Sequence, residues 1–151
     1  MLKHLAIVAL AVLSSLAGAY GVVNLAHATA RPPAIAKGPD GHYWAEASVN
    51  GRPIRFLVDT GSSAVTLTPS DAARLGIDTG KLDYARPVTT VSGHTRAARV
   101  VLDHVSVAGA QVEQVQALVL KDGPSTSLLG MSYLGRLSSF EATPTSLVLH
   151  R

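Results

Sequence analysis

The chain has 151 residues, 47% of them hydrophobic and only 15% charged, a balance that excludes a disordered polymer and allows one ordinary domain with a short appendage. Its formal charge of +3 is spread thinly, without a run of Lys or Arg longer than two, so the basic footprint of a nucleic-acid binder is missing. Cys is absent, which excludes a disulfide scaffold and thiolate metal sites and leaves the compartment to be read elsewhere.

At the N-terminus, Leu5 to Ala26 carries no formal charge and follows Lys3. Its length suits a membrane-spanning helix of roughly 20 apolar residues, with the basic side cytoplasmic. The same stretch also reads as a signal peptide, with Leu5 to Leu13 as the apolar core and Ala26-His27-Ala28 as the cleavage site. Either way residues 1–28 engage the inner membrane, and the rest of the chain faces the periplasm, tethered or released. N-terminal sequencing of the mature protein distinguishes the two. Residues 29–41 are dense in Pro and Gly and read as a linker. The folded domain is then 42–151.

Within it, Tyr43, Ala45, Ala47 and Val49 alternate on one side of a strand, and Asn50-Gly51 supplies the residues of a tight type I′ turn. The return strand, Pro53 to Val58, ends in Phe56-Leu57-Val58 and runs into Asp59-Thr60-Gly61-Ser62-Ser63. Ala64 to Leu67 reads as another strand. A short helix follows, with Thr68 as N-cap, Pro69 at the first helical position and Gly76 as the stop. Val88 to Arg99 is polar and β-prone about Ser92-Gly93, the pattern of a projecting hairpin. Val100 to Val107 and Val112 to Leu120 are further strands. Leu128-Leu129-Gly130 precedes a helical stretch, Met131 to Leu137, and Phe140-Glu141 with Leu147-Val148-Leu149 make a last hairpin. The fold class is therefore mainly β, a small closed barrel or sandwich with one or two short helices.

The chemistry concentrates at Asp59. A carboxylate that ends an apolar strand must raise its pKa or find partners, and the Gly-Ser turn after it can bring backbone donors close. A turn-forming Asp is the plain alternative. The six His residues, His4, His27, His42, His94, His104 and His150, show no metal-ligand spacing and read as surface residues, so neither a metal nor another cofactor is expected. Gly130-Met131-Ser132-Tyr133-Leu134-Gly135 misses the spacing of a nucleophile elbow by one residue, and Ser132 reads as a helix cap.

The segment Phe56-Leu57-Val58-Asp59-Thr60-Gly61-Ser62-Ser63 resembles the active-site loop of aspartic proteases. Leu128-Leu129-Gly130 is similar to the element that supports that loop, and Val88 to Arg99 lies where the family carries its flap. Residues 42–151 as a whole resemble the retropepsin-like domain of bacterial membrane-tethered aspartic proteases. The resemblance implies a barrel of the acid-protease type with Asp59 as catalytic acid. It also implies that Thr60 buttresses the paired loop across a dimer, that Gly61 permits the tight turn, and that Ser62 hydrogen-bonds near the carboxylates. Ser92 and Gly93 fall at the flap tip, and Leu128, Leu129 and Gly130 act as loop support. Thr143-Pro144-Thr145 departs from the pattern, where a Gly-bearing turn is expected.

Peptide hydrolysis of this kind needs two carboxylates sharing one proton. Asp40, Asp71, Asp83, Asp103 and Asp122 lack a following Thr-Gly or Ser-Gly, and Asp78, which precedes Thr79-Gly80, follows Gly76-Ile77 and not an apolar strand, so the second acid is expected from another copy in a two-fold homodimer acting on a peptide or protein substrate. Two other functions compete. One is a phosphate-gripping loop like that of actin-like sugar kinases, which needs two sizeable subdomains that this length does not provide. The other is a catalytically silent module of the same fold that dimerises or binds peptides along its groove.

Overall fold

The computed structural model describes residues 32–90, 93–122 and 125–151, which fall in the unit Pro32–Arg151. The membrane-entering segment expected at residues 1–28 lies outside the described residues. Among the described residues no helix is long and apolar enough to cross a membrane.

Strand β2 (Trp44–Val49) buries Ala45, Ala47 and Val49 and exposes Glu46 and Ser48, the alternation of a sheet with one face on the core. It pairs antiparallel with β3 (Arg52–Val58), which buries Ile54 and Phe56. Between them Asn50 and Gly51 both take positive φ, 48° and 80°, as a type I′ turn requires. After β4 (Val65–Leu67), helix α1 (Pro69–Arg74) starts at Thr68, whose Oγ1 accepts a hydrogen bond from Asp71 N at 3.1 Å, and the chain leaves it through Gly76 at φ +84°. A 3-10 turn at Thr79–Lys81 leads to β5 (Arg86–Thr90).

Strands β6 (Gly93–Val107) and β7 (Ala110–Leu120) form the longest hairpin. Ala108 and Gly109 close it with φ of 49° and 92°, a second turn of the same hand that the sequence reading left unassigned. Along β7 the buried positions run Ala110 and Val112, then shift phase to Val115, Ala117 and Val119; β6 shifts likewise between Leu102 and Val105. Both shifts fall at one level, where pairing is interrupted between Leu102↔Val115 and His104↔Glu113. Gln114 there adopts φ 49° and donates through Nε2 to Asp103 Oδ1 at 3.1 Å. The irregularity bends the hairpin so that its two halves serve different walls of the barrel.

The remaining elements are β8 (Ser127–Leu129), α2 (Met131–Leu134), β9 (Ser139–Ala142) and β10 (Ser146–His150). The main sheet runs β2-β3-β8-β4-β7-β6-β5, and a further pairing of Ala47 to Val49 with Val105 to Val107 joins β2 to β6 and closes the barrel. Strand β5 is left outside that closure, paired among the described residues with β6 alone. Leu102, Val105, Val115, Phe56 and Leu129 are fully buried inside it.

Three expectations need correction. The stretch 29–41 is not only a linker: Ala34–Ala36 forms β1, paired antiparallel with β10, and Ile35 is buried against the core. An edge strand tolerates neighbouring prolines because only one side of its ladder needs donors. Helix α2 ends at Leu134 instead of Leu137, its last turn closed by Gly135 N donating to Met131 O at 2.9 Å. The turn at Thr143 needs no glycine, since Thr143 Oγ1 accepts from Ser146 N at 2.9 Å and Thr143 N donates to Ser146 O at 2.8 Å.

Candidate active site

Strand β8 threads between β3 and β4, parallel to the first through Leu57↔Leu128 and Val58↔Leu129 and antiparallel to the second through Thr66↔Leu128. That insertion fixes both ends of the loop that carries Asp59. Asp59 N donates to Leu129 O at 3.1 Å, and Met131 N donates to Ser62 O at 2.8 Å. Gly130 passes so close under the loop that a Cβ there would sit 2.2 Å from Ala64 O and 2.7 Å from Ser62 O. No other residue type fits without moving the backbone. Leu128, Leu129 and Gly130 therefore lie directly against the loop.

Inside the loop, Ser62 N donates to Asp59 O at 3.3 Å, and Asp59 Oδ1 accepts from Gly61 N at 2.9 Å. The half-buried carboxylate is thus oriented by a backbone donor two residues on, the geometry of an Asx-turn. Ser62 Oγ donates to Ala64 O at 2.8 Å, so its hydroxyl stays within its own loop and is not bonded to the carboxylate. Thr60 is exposed at the loop apex, and its hydroxyl forms no hydrogen bond among the described residues.

Asp59 opens onto a cavity of about 660 Å³ whose opposite wall is the β5–β6 hairpin, with Val88 and Thr89 facing Leu57 and Leu128. Asp59 is the one acid among the described residues that line it. The hairpin pairs Arg86↔Ala97 through Thr90↔Gly93, and Gly93 takes φ +117° at its tip. Ser92 lies outside the described residues. At the hairpin's base, Arg96 donates through Nε to Tyr84 O at 2.8 Å.

Among the other acids, Asp78 accepts from Gly80 N at 3.2 Å and pairs with Lys81 at 3.0 Å, and Asp71 and Asp40 are likewise engaged outside this cavity. Asp71 Oδ2 accepts from Ser127 Oγ at 2.6 Å, while Ser127 Oγ in turn accepts from Thr68 N, which ties α1 to β8. Asp40 accepts from Trp44 Nε1 at 2.8 Å and from His42 N, and these bonds, the indole first, hold its carboxyl below its ordinary value. Among the described residues no group of three or more metal-ligating side chains converges.

Ser132 corrects the sequence reading. It does not cap α2, whose N-cap Gly130 has no side chain to offer. Its hydroxyl accepts from Val65 N at 2.8 Å and donates to Gln116 O at 2.7 Å, bridging the exit of the Asp59 loop to β7. Tyr133 is fully buried with its hydroxyl donating to Ala110 O at 2.7 Å, and burial pushes its pKa up to about 12. The sequence signal for both was available only as polar groups inside an apolar run, which identifies burial but not the partner.

A family described as aspartyl protease matches residues 45–133. An uncharacterised protein of Rickettsia prowazekii is 40% identical over 116 residues, covering 77% of this chain and 50% of that protein. An uncharacterised protein of a Sinorhizobium species is 36% identical over 111 residues, covering 73% and 48%. The chain thus spans about half the length of these relatives. The crystal structure of a retropepsin-like aspartic protease from Rickettsia conorii superposes with a TM-score of 0.70 at 39% identity, covering 77% of this chain and 96% of that one. EIAV protease complexed with the inhibitor HBY-793 superposes with a TM-score of 0.56 at 19% identity, covering 70% and 97%, a likeness of fold alone.

Proposed function

Since this chain belongs to the aspartyl protease family and has the retropepsin-like fold, we propose that it is an aspartic endopeptidase that works as a homodimer, with one Asp59 from each copy forming the catalytic dyad. The observation that carries this reading is the cavity between loop and hairpin, where Asp59 is the one acid among the described lining residues. A dyad then requires a second copy, and a two-fold axis beside the exposed Thr60 places the two loops face to face.

The chemistry follows from like charge. Two carboxylates a few ångströms apart cannot both ionise, so they share a proton. The ionised one takes a proton from a water, which attacks the scissile carbonyl, while the protonated one donates to that carbonyl's oxygen. The Gly61 N–H already bonded to Asp59 Oδ1 holds one oxygen in place, leaving the other for the shared proton and water. The β5–β6 hairpin acts as the flap, closing over an extended peptide and excluding bulk water.

Subunit mixing tests the shared dyad. Asp59→Asn should fold and dimerise without activity. Mixed in equal amounts with the unchanged chain under free exchange, it should leave about one quarter of dimers with both acids, so activity follows the square of the unchanged fraction. A linear dependence of initial rate on that fraction overturns the shared dyad. A chain that binds peptides in this cavity but cleaves none would instead be a silent peptide-binding module of the same fold.

A further inference from the structure

A second pocket, of about 490 Å³, opens beside the cavity that holds Asp59, lined by Ser63, Ala64, Arg86, Arg99 and Gln116 among others. The same three stretches of chain wall both spaces. Thr66, Val88 and Leu120 line the Asp59 cavity, whereas Ala64, Arg86 and Leu118 line the second pocket. Each pair is two residues apart, and strand residues two apart share a face at a spacing of roughly 7 Å. The loop itself passes from Asp59, Gly61 and Ser62 in the first space to Ser63 and Ala64 in the second. A peptide extended between loop and hairpin, with one side chain beside Asp59, therefore presents the side chain two residues further along to the second pocket.

The pocket's charge is one-sided. Arg86 and Arg99 are exposed, on paired strands whose register sets Arg86 opposite Ala97. Among the described residues neither guanidinium forms an ion pair or a hydrogen bond. Arg52, Arg55, Arg74, Arg96 and Arg136 all do. No acid is among the described residues lining the pocket, and Asp83, which borders a neighbouring depression with both arginines, pairs with neither. Two guanidiniums facing one space without a counter-anion repel each other, and a carboxylate between them relieves that repulsion through forked hydrogen bonds.

We infer that this pocket receives the carboxylate of an acidic substrate side chain, two residues from the one seated beside Asp59, and that Arg86 and Arg99 hold it. The inference rests on the peptidase reading and adds a substrate class to it. In a two-fold dimer the pocket occurs at both ends of the cleft, so an acid is favoured on either side of the scissile bond.

The test uses peptide libraries that differ only by Glu or Gln at one scanned position. Binding is measured to the full chain carrying Asp59→Asn, which needs no turnover, and cleavage is measured with the unchanged chain. At low salt the Glu peptide should bind roughly five- to tenfold more tightly at the position two residues out, the range expected of two solvent-screened ion pairs. The preference should shrink as salt rises and fall to about one with Arg86→Gln plus Arg99→Gln. Arg86→Lys plus Arg99→Lys should restore part of it, which a merely structural role would not. Equal binding of Glu and Gln peptides that the unchanged chain cleaves overturns the acidic preference and leaves the peptidase reading intact. A Glu preference without any cleavage supports the pocket and sinks the peptidase reading. A preference that survives loss of both arginines, or no binding of any peptide, overturns the assignment.

Discussion

The loop that carries Asp59 and the hairpin that faces it bound the same cavity but are built on opposite principles. The loop is held from three sides, by β8 through Leu129 O, by α2 through Met131 N, and by the Ser132 hydroxyl on Val65 N. Beyond its base the hairpin is held mainly by its own ladder, with Thr95 Oγ1 accepting from Asp122 N at 3.2 Å, and among the described residues β5 pairs with β6 alone. A catalytic carboxylate needs fixed geometry, since small misplacements are costly to rate, whereas a cover must open to admit substrate. Low contact density is what makes local opening inexpensive.

Changes that break the loop's support should therefore cost stability first. Gly130→Ala forces a Cβ into a space bounded 2.2 Å away by Ala64 O, where only the backbone can yield. A loss of about 3 kcal/mol or more is expected, on the scale of severe overpacking. Chemical denaturation of the unchanged and altered chains measures it, and equal midpoints would refute the close approach.

Ser132→Ala sharpens the contrast with a milder lesion. It removes the acceptor of Val65 N and the donor to Gln116 O without changing the backbone. Val65 is fully buried, so its N–H loses a partner that water cannot readily replace. A cost of about 2 kcal/mol is expected. Ser132→Thr should recover part of it, and a thermal-unfolding comparison of the three chains decides.

The β5–β6 hairpin should show the opposite pattern. Deleting Ser92 and Gly93 removes two residues, which keeps the in-out alternation of the strands and still allows Thr89 to face His94. Stability should change by less than about 0.5 kcal/mol, as for exposed surface changes. Turnover of a peptide should fall roughly tenfold or more, because the site no longer closes. An unchanged rate would show that the hairpin does not cover the substrate.

Much of this molecule follows from local chemistry that a sequence states directly. Asn50-Gly51 demands a tight turn of one hand, Thr68-Pro69 with Gly76 frames one helix turn by turn, and Phe56-Leu57-Val58 before Asp59 announces a buried strand delivering an acid. Those signals depend on neighbours a few residues apart, so they survive without knowledge of the fold. The Ala108-Gly109 turn was less legible because Ala is a poor occupant of positive φ, and only the long β6–β7 ladder holds it there.

What the tertiary structure alone decided was which distant groups meet. Ala34–Ala36, embedded among prolines, becomes a strand because β10 offers it a free edge. Ser132 looks like a cap in sequence, yet its hydroxyl bonds across 67 positions to Val65 N and across 16 to Gln116 O. Arg86 and Arg99 are ordinary surface residues until the hairpin register and the loop's path set them around one pocket next to Asp59. Propensity and periodicity act within a few residues, whereas burial, hydrogen-bond partners and shared charge are fixed only when barrel closure brings remote strands together.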